Sequence, residues 1–178
     1  MVQTLKIPPI SKMLGVLELG TNSLKLHPYS MDGEVHEPIR VEWEVGFEVY
    51  SKGRFSSSTI QNAVEQVKKI LGDRRDGELE DVFGVATGVF EDAENTSELL
   101  DQLDRDLDVP VRVLTGAEQA RLLFLGFRER VSERPAMVFD LGCGRLEKVY
   151  LGGGNLYLHD SLPLGVILLH HHACFSYS

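Results

Sequence analysis

The stretch GVLELGTNSLKL, residues 15–26, decides the fold. An apolar run ends in the acid of Glu18-Leu19, Gly20, Thr21, Asn22 and Ser23 interrupt, and an alternating run resumes at Leu24. Alternate side chains of a strand point to opposite faces, so this is two strands joined by a short loop. A second stretch, MVFDLGCGRLEKVYL (137–151), repeats the design: apolar run, Asp140, Leu141-Gly142, a glycine loop, another strand. An acid followed by Leu-Gly at the end of a strand, met twice, raises the question of whether two loops grip one ligand.

The elements around these stretches are read from periodicity. Segments 14–19, 24–29 and 35–45 form a three-stranded antiparallel meander, with Asp32-Gly33 as a hairpin turn. Residues 51–58 read as a loop. Ser58 and Gln61 form a capping box opening a helix whose inner face is Ile60, Val64, Val67, Ile70 and Leu71. A charged loop over 73–81 leads to VFGVAT (82–87), an unalternating apolar run expected to be buried on both faces. Asn95 and Glu98 cap a second helix to about residue 105, with Leu99, Leu100 and Leu103 inward. VRVL (111–114) is a strand, and Thr115 with Glu118 caps the helix that follows. Strands at 136–141, 147–151 and 155–159 close the chain. The order β-β-β-α-β-α-β-α-β-β-β predicts an α/β domain with a mixed sheet and helices on its faces. Ligands of such sheets bind at the C-terminal ends of strands, where both acid-Leu-Gly turns fall.

Bulk properties narrow the partners. The chain has 178 residues, 43% hydrophobic and 25% charged, as expected of a globular domain. A net charge of −9 argues against nucleic acid and against anionic membranes. The two cysteines, Cys143 and Cys174, make no CxxC pair and fit a reducing compartment. The first 12 residues lack the apolar core of a signal peptide, and LPLGVILL (162–169) is too short to span a bilayer. A cytoplasmic protein is the expectation.

The loop residues suit phosphate. Gly20, Thr21, Asn22 and Ser23 offer backbone N–H groups, close approach, and hydroxyl and amide donors; Gly142, Cys143, Gly144 and Arg145 offer a similar cradle. Glu18 and Asp140, each at a strand end beside such a loop, suit Mg²⁺ or its waters. The plain alternative is a pair of hairpin turns.

With these residues in hand, the chain resembles a family. ELGTNSLKL, VATGVFEDAEN, VRVLTGAEQARLLFLGF, FDLGCGRLEKVYL and SLPLGV occur in that order over about 13–168. They look like the N-terminal domain of the exopolyphosphatase/guanosine pentaphosphate phosphohydrolase (Ppx/GppA) family. The resemblance implies the ribonuclease H-like fold of the actin, sugar kinase and Hsp70 superfamily. It implies residues 13–169 as that domain, 1–12 and 170–178 as tails, and a second family domain lacking. It further implies polyphosphate or guanosine penta- or tetraphosphate as ligand, both glycine loops as phosphate sites, and water activation by a glutamate.

The departures fall on the cleft. Where the family pattern SGxEEAR has its second glutamate, this chain has Gln119, and an amide cannot accept the proton; general-base catalysis is worth about 10²–10⁴ in rate. Glu118 is adjacent, but helix neighbours point about 100° apart, and its capping role accounts for it. The arginine of ATSAxRDA is replaced by Glu91, and DxGGGSTE reads DLGCGRLE, with Arg145 either binding phosphate or filling the site itself. Two functions follow. One is the phosphatase lineage, with weak or no hydrolysis and Glu118 the remaining carboxylate. The other is a non-catalytic module that senses phosphate ligands or associates with a partner, a homodimer being one way to bury the face a second domain would cover. His170, His171 and His172 cannot all face one metal from a strand. Lys25 and Lys148 read as ordinary solvent-face lysines, and Trp43 and Phe47 as core or interface residues.

Overall fold

The computed structural model describes residues 13–72, 79–130, 134–153 and 155–175; the expected N-terminal tail, most of the charged 73–81 loop and residues 176–178 lie outside these. Among the described residues eight strands and six helices follow in the order β1 (Met13–Leu19), β2 (Ser23–Ser30), β3 (Ile39–Glu42), α1 (Gly46–Lys52), α2 (Ser57–Gly72), β4 (Leu79–Ala86), α3 (Val89–Asp92), α4 (Thr96–Leu107), β5 (Val111–Val113), α5 (Gly116–Phe127), β6 (Ala136–Leu141), β7 (Leu146–Gly152), β8 (Asn155–Leu162) and α6 (Val166–Phe175).

The strands divide between two sheets. The first has the order β3-β2-β1-β4-β5, antiparallel through β1, β2 and β3 and parallel through β1, β4 and β5. Alternation places Leu17, Leu19, Leu24 and Leu26 on one face, wholly buried against α2 and α4 residues such as Val67, Ile70, Leu99 and Leu103. Strands β6–β8 do not extend this sheet. They form an antiparallel meander of their own, with Val149 and Leu151 packed on Ala120, Leu123 and Phe124 of α5. The second unit copies the opening of the first: strand, acid-Leu-Gly loop, two antiparallel strands, helix.

Several expectations are corrected. The third strand is short, Ile39–Glu42, where 35–45 was expected, and the chain then turns into α1, which takes up residues 46–50 that the pattern leaves unassigned and the first two residues of the expected 51–58 loop. Its first residue is held from outside, because the Gly46 N–H donates to the Thr21 carbonyl at 3.0 Å. Helix α2 is capped not by Ser58 and Gln61 but by Ser56, whose Oγ accepts from the Thr59 N–H (3.3 Å). Asn95 does precede α4, yet its side chain does not cap. It binds the Phe55 backbone instead, at 2.9 Å through Oδ1 and 3.1 Å through Nδ2. β4 is not buried on both faces, since Phe83 is 52% exposed while Val82 and Ala86 are buried. The reason is that helices α2 and α4 cover only one face of the first sheet. Likewise Met137, Phe139 and Leu141 on β6 are exposed. Helix α6 runs over Val166–Phe175, so the three histidines lie on a helix and not on a strand. Among the described residues, no helix is long and apolar enough to cross a membrane.

Glu48 on α1 joins α1 to α2. Its carboxylate accepts from the Ser56 N–H (3.0 Å), from the Ser56 and Thr59 hydroxyls, and from Lys52 Nζ (3.1 Å). The Thr59 hydroxyl, then the Ser56 N–H and Lys52, hold the carboxyl down at about 2 against the opposing effect of burial. A depressed folded pKa gives stability above the ordinary value that is lost as pH falls from there toward 2. Glu48→Gln is therefore expected to cost about 1 kcal/mol at pH 7 and to flatten the acid limb of the stability curve, measured by urea denaturation between pH 7 and pH 2.

Candidate functional site

Both acid-Leu-Gly loops close in the same way. The Gly20 N–H donates to the Ser23 carbonyl at 2.9 Å, and the Gly142 N–H to the Arg145 carbonyl at 2.9 Å. A Cβ on Gly20 would stand 3.1 Å from the Ser23 oxygen, and one on Gly142 3.2 Å from the Arg145 oxygen. A side chain at either position would crowd the carbonyl oxygen that closes the loop. Each loop also seats the helix after its third strand. Gly46 of α1 bonds Thr21, and the N–H groups of Gly165, Val166 and Ile167 donate to the carbonyls of Gly144, Gly142 and Cys143 (3.2, 3.1 and 2.9 Å).

The loops face each other across a cleft of about 420 Å³. It is lined by Gly20, Thr21, Asn22 and Ser23 on one side and Gly142, Cys143, Gly144 and Arg145 on the other, with Glu18, Asp140 and Gln119 also on its wall. Thr21 is the pivot of the junction. It is 5% exposed, and its Oγ1 lies 3.4 Å from the Val89 N–H. Cβ atoms added at Gly46 and Gly88 would collide with its side chain, and one at Gly144 would come within 2.6 Å of its Oγ1. Three glycines from three segments therefore let the first loop, α1, α3 and the second loop meet at one side chain. Tyr50 is wedged there too, its hydroxyl buried and its pKa pushed up to about 12 by burial.

Most charges at the cleft are already engaged. Glu18 binds Lys25 at 2.7 Å and His27 at 3.2 Å, and Arg40 pairs with Glu42 at 2.8 Å; Lys148, which does not line the cleft, pairs with Asp160 at 3.2 Å. Asn22 Nδ2 donates to Glu42 (3.1 Å) and the Trp43 indole N–H to the Gly20 carbonyl (2.8 Å), tying the first loop to the β3 end. Phe47 meets the His170 ring edge-on between α1 and α6. Glu118 sits outside the cleft wall. It completes the capping box with Thr115 and pairs with Arg112, which with the Thr115 N–H and hydroxyl holds its carboxyl at about 2. Gln119 Nε2 donates to Glu91 Oε1 at 2.8 Å and to the Leu114 carbonyl at 3.2 Å. The two positions that depart from the family pattern on α3 and α5 are thus bonded to each other.

Glu147 was not singled out from the sequence as a site residue, though it ends the second loop's motif. It is 7% exposed, accepts from the Ser161 hydroxyl at 2.7 Å through Oε1, and leaves Oε2 buried without a partner. Burial first, and then the nearby carboxylates Glu91 and Asp140, raise its pKa against the Ser161 bond and Arg145. Asp140 is its cross-strand neighbour. Among the described residues, no group of three or more His, Cys, Asp or Glu side chains is assembled to hold a metal. The signal that could have found Glu147 is its place on the strand after the loop, directly opposite Asp140.

A family model described as the Ppx/GppA phosphatase family matches residues 40–176. Exopolyphosphatase 1 of Mycobacterium leprae is 25% identical over 171 residues, a match covering 85% of this chain and 47% of the relative. The crystal structure of an exopolyphosphatase from Cytophaga hutchinsonii superposes with a TM-score of 0.78 at 21% identity, covering 89% of this chain and 53% of that one. A Bacteroides thetaiotaomicron protein described as having an actin-like ATPase fold gives 0.58 at 9% identity, covering 100% and 81%. These likenesses establish the mixed α/β, actin-like fold. The chain spans about half the length of the exopolyphosphatases it matches.

Proposed function

This chain belongs to the Ppx/GppA phosphatase family, and from that membership we propose that it binds a terminal phosphoanhydride, of polyphosphate or guanosine pentaphosphate, and hydrolyses it slowly. The ligand's phosphates would lie between the first loop (Gly20, Thr21, Asn22, Ser23) and the second (Gly142, Cys143, Gly144, Arg145), within residues 13–169 acting as one binding unit. The observation that carries this reading is the pair of identically closed glycine loops facing one cleft, with an amide on its wall at position 119. Gln119 cannot take a proton from water, and its N–H₂ is turned to Glu91. Glu118, the adjacent carboxylate, is consumed by the helix cap and by Arg112.

The oxygen donors fit Mg²⁺, a hard cation that keeps several waters and takes one or two carboxylates. Asp140 and Glu147, with the unpartnered Glu147 oxygen, would hold it, while Glu18 is drawn off by Lys25 and His27. When bound, it would offset phosphate charge in a cleft rich in carboxylates.

The second reading, a wholly non-catalytic phosphate-sensing module, is favoured by the same Gln119–Glu91 bond. Calorimetric titration with long-chain polyphosphate and with guanosine pentaphosphate, run with Mg²⁺ and with chelator, tests binding; phosphate release on the same samples separates the readings. Binding with slow release is the expected result. Absence of binding under every condition would reject the phosphate cleft. Fast release that falls on Glu118→Ala would reject the assignment of slow hydrolysis.

A further inference from the structure

Among the described residues three cations line the cleft, Lys25, Arg40 and Arg145, and each already has a carboxylate. Lys25 holds Glu18 at 2.7 Å across the β1–β2 hairpin, and Arg40 holds Glu42 at 2.8 Å along β3. Both are short pairs within one local element. Arg145 is different. Its Nη1 lies 3.3 Å from Asp92 Oδ1 and 3.5 Å from Oδ2, across the cleft from the second loop to α3, between residues 53 apart in the chain. Charge-assisted bonds of this kind are usually about 2.7–2.9 Å, so this pair is stretched. The other edge of the guanidinium is firmly held: Nε donates to Ser161 Oγ at 2.7 Å, and Ser161 donates on to Glu147 at 2.7 Å. Arg145 is therefore anchored on its own unit and loosely bonded to the opposite one, with a side chain only 20% exposed.

We propose that Arg145 is the residue that recognises the incoming phosphate, and that Asp92 is the resident anion the phosphate must displace. This deepens the phosphate reading given above and rests on it. Without ligand, the Asp92–Arg145 pair bridges the two units over the cleft. A phosphate offers two oxygens to two guanidinium nitrogens in the fork geometry, whereas Asp92 meets Nη1 with both of its oxygens, at long distance. The Ser161 bond at Nε keeps the guanidinium in place while its partner changes. Asp92 then lowers affinity, because its charge competes for the same donor, and its removal acts through Arg145 rather than through general charge.

Titration calorimetry with inorganic tripolyphosphate on the full chain tests this. Asp92→Asn is expected to tighten binding about two- to fivefold, the range for one partly exposed ion pair. Arg145→Lys, which keeps the charge but loses the fork, is expected to weaken it by about tenfold. In an Arg145→Ala background, Asp92→Asn is expected to produce no gain. Circular dichroism melts of each variant establish that the chain is folded. A gain from Asp92→Asn that persists without Arg145, or no gain at all, would overturn this inference while leaving the phosphate cleft standing. No binding by any form would overturn both.

Discussion

Replacing Gln119 by Glu and Glu91 by Gln together is expected to raise phosphate release from long-chain polyphosphate by about 10²-fold or more, the usual worth of a positioned general base. The single change is expected to do much less. A carboxylate at position 119 would meet that of Glu91, which now accepts from Gln119 at 2.8 Å. Two carboxylates so close cannot both ionise; they share a proton, and the pair titrates as a unit. Glu91→Gln alone leaves no base and is expected to gain nothing. The two positions thus couple, and the double variant should exceed the product of the single effects. Phosphate release in the presence of Mg²⁺, with all four forms compared at one pH, is the measurement. A folded double variant no faster than the unmodified chain would show that position 119 does not limit the rate.

Gly165→Ala is expected to cause the largest loss of stability of any single methyl addition. Its Cβ would fall on the backbone of Cys143 and Gly144. Backbone cannot swing aside as a flexible side chain can, so the α6 start must lift from the second loop. The three bonds from Gly165, Val166 and Ile167 to the loop carbonyls would loosen together. Overpacking of this kind costs about 3 kcal/mol, read as a lower urea midpoint. Gly126→Ala is the matched control. It lies in α5 with nothing within 4 Å of a new Cβ, so it is expected to raise stability by about 0.5–1 kcal/mol. Equal midpoints for the two variants would mean that α6 is not seated on the loop.

Alternation over β1 and β2, the helical spacing of α2 and the Thr115–Glu118 capping box were readable because each is a local pattern. Side-chain period and short-range bonds follow from sequence neighbours alone. α1 escaped because what begins it is not local: the Gly46 N–H bonds a carbonyl 25 residues earlier. Its counterpart at Gly165 shows the signal that was available, a glycine after the third strand in each unit, VGF in one and LGV in the other.

The sequence by itself determined that two like strand-loop-strand devices exist, which residues form the loops, and that the expected base is an amide. Those are matters of residue type and spacing. Only the tertiary structure decided that the strands split into two sheets whose loops meet at Thr21, that Gln119 is bonded to Glu91, and that Arg145 reaches Asp92. These are contacts between residues 28 to 123 positions apart in sequence. They depend on how closely backbones approach and on which charges share a low-dielectric cleft, and periodicity carries neither.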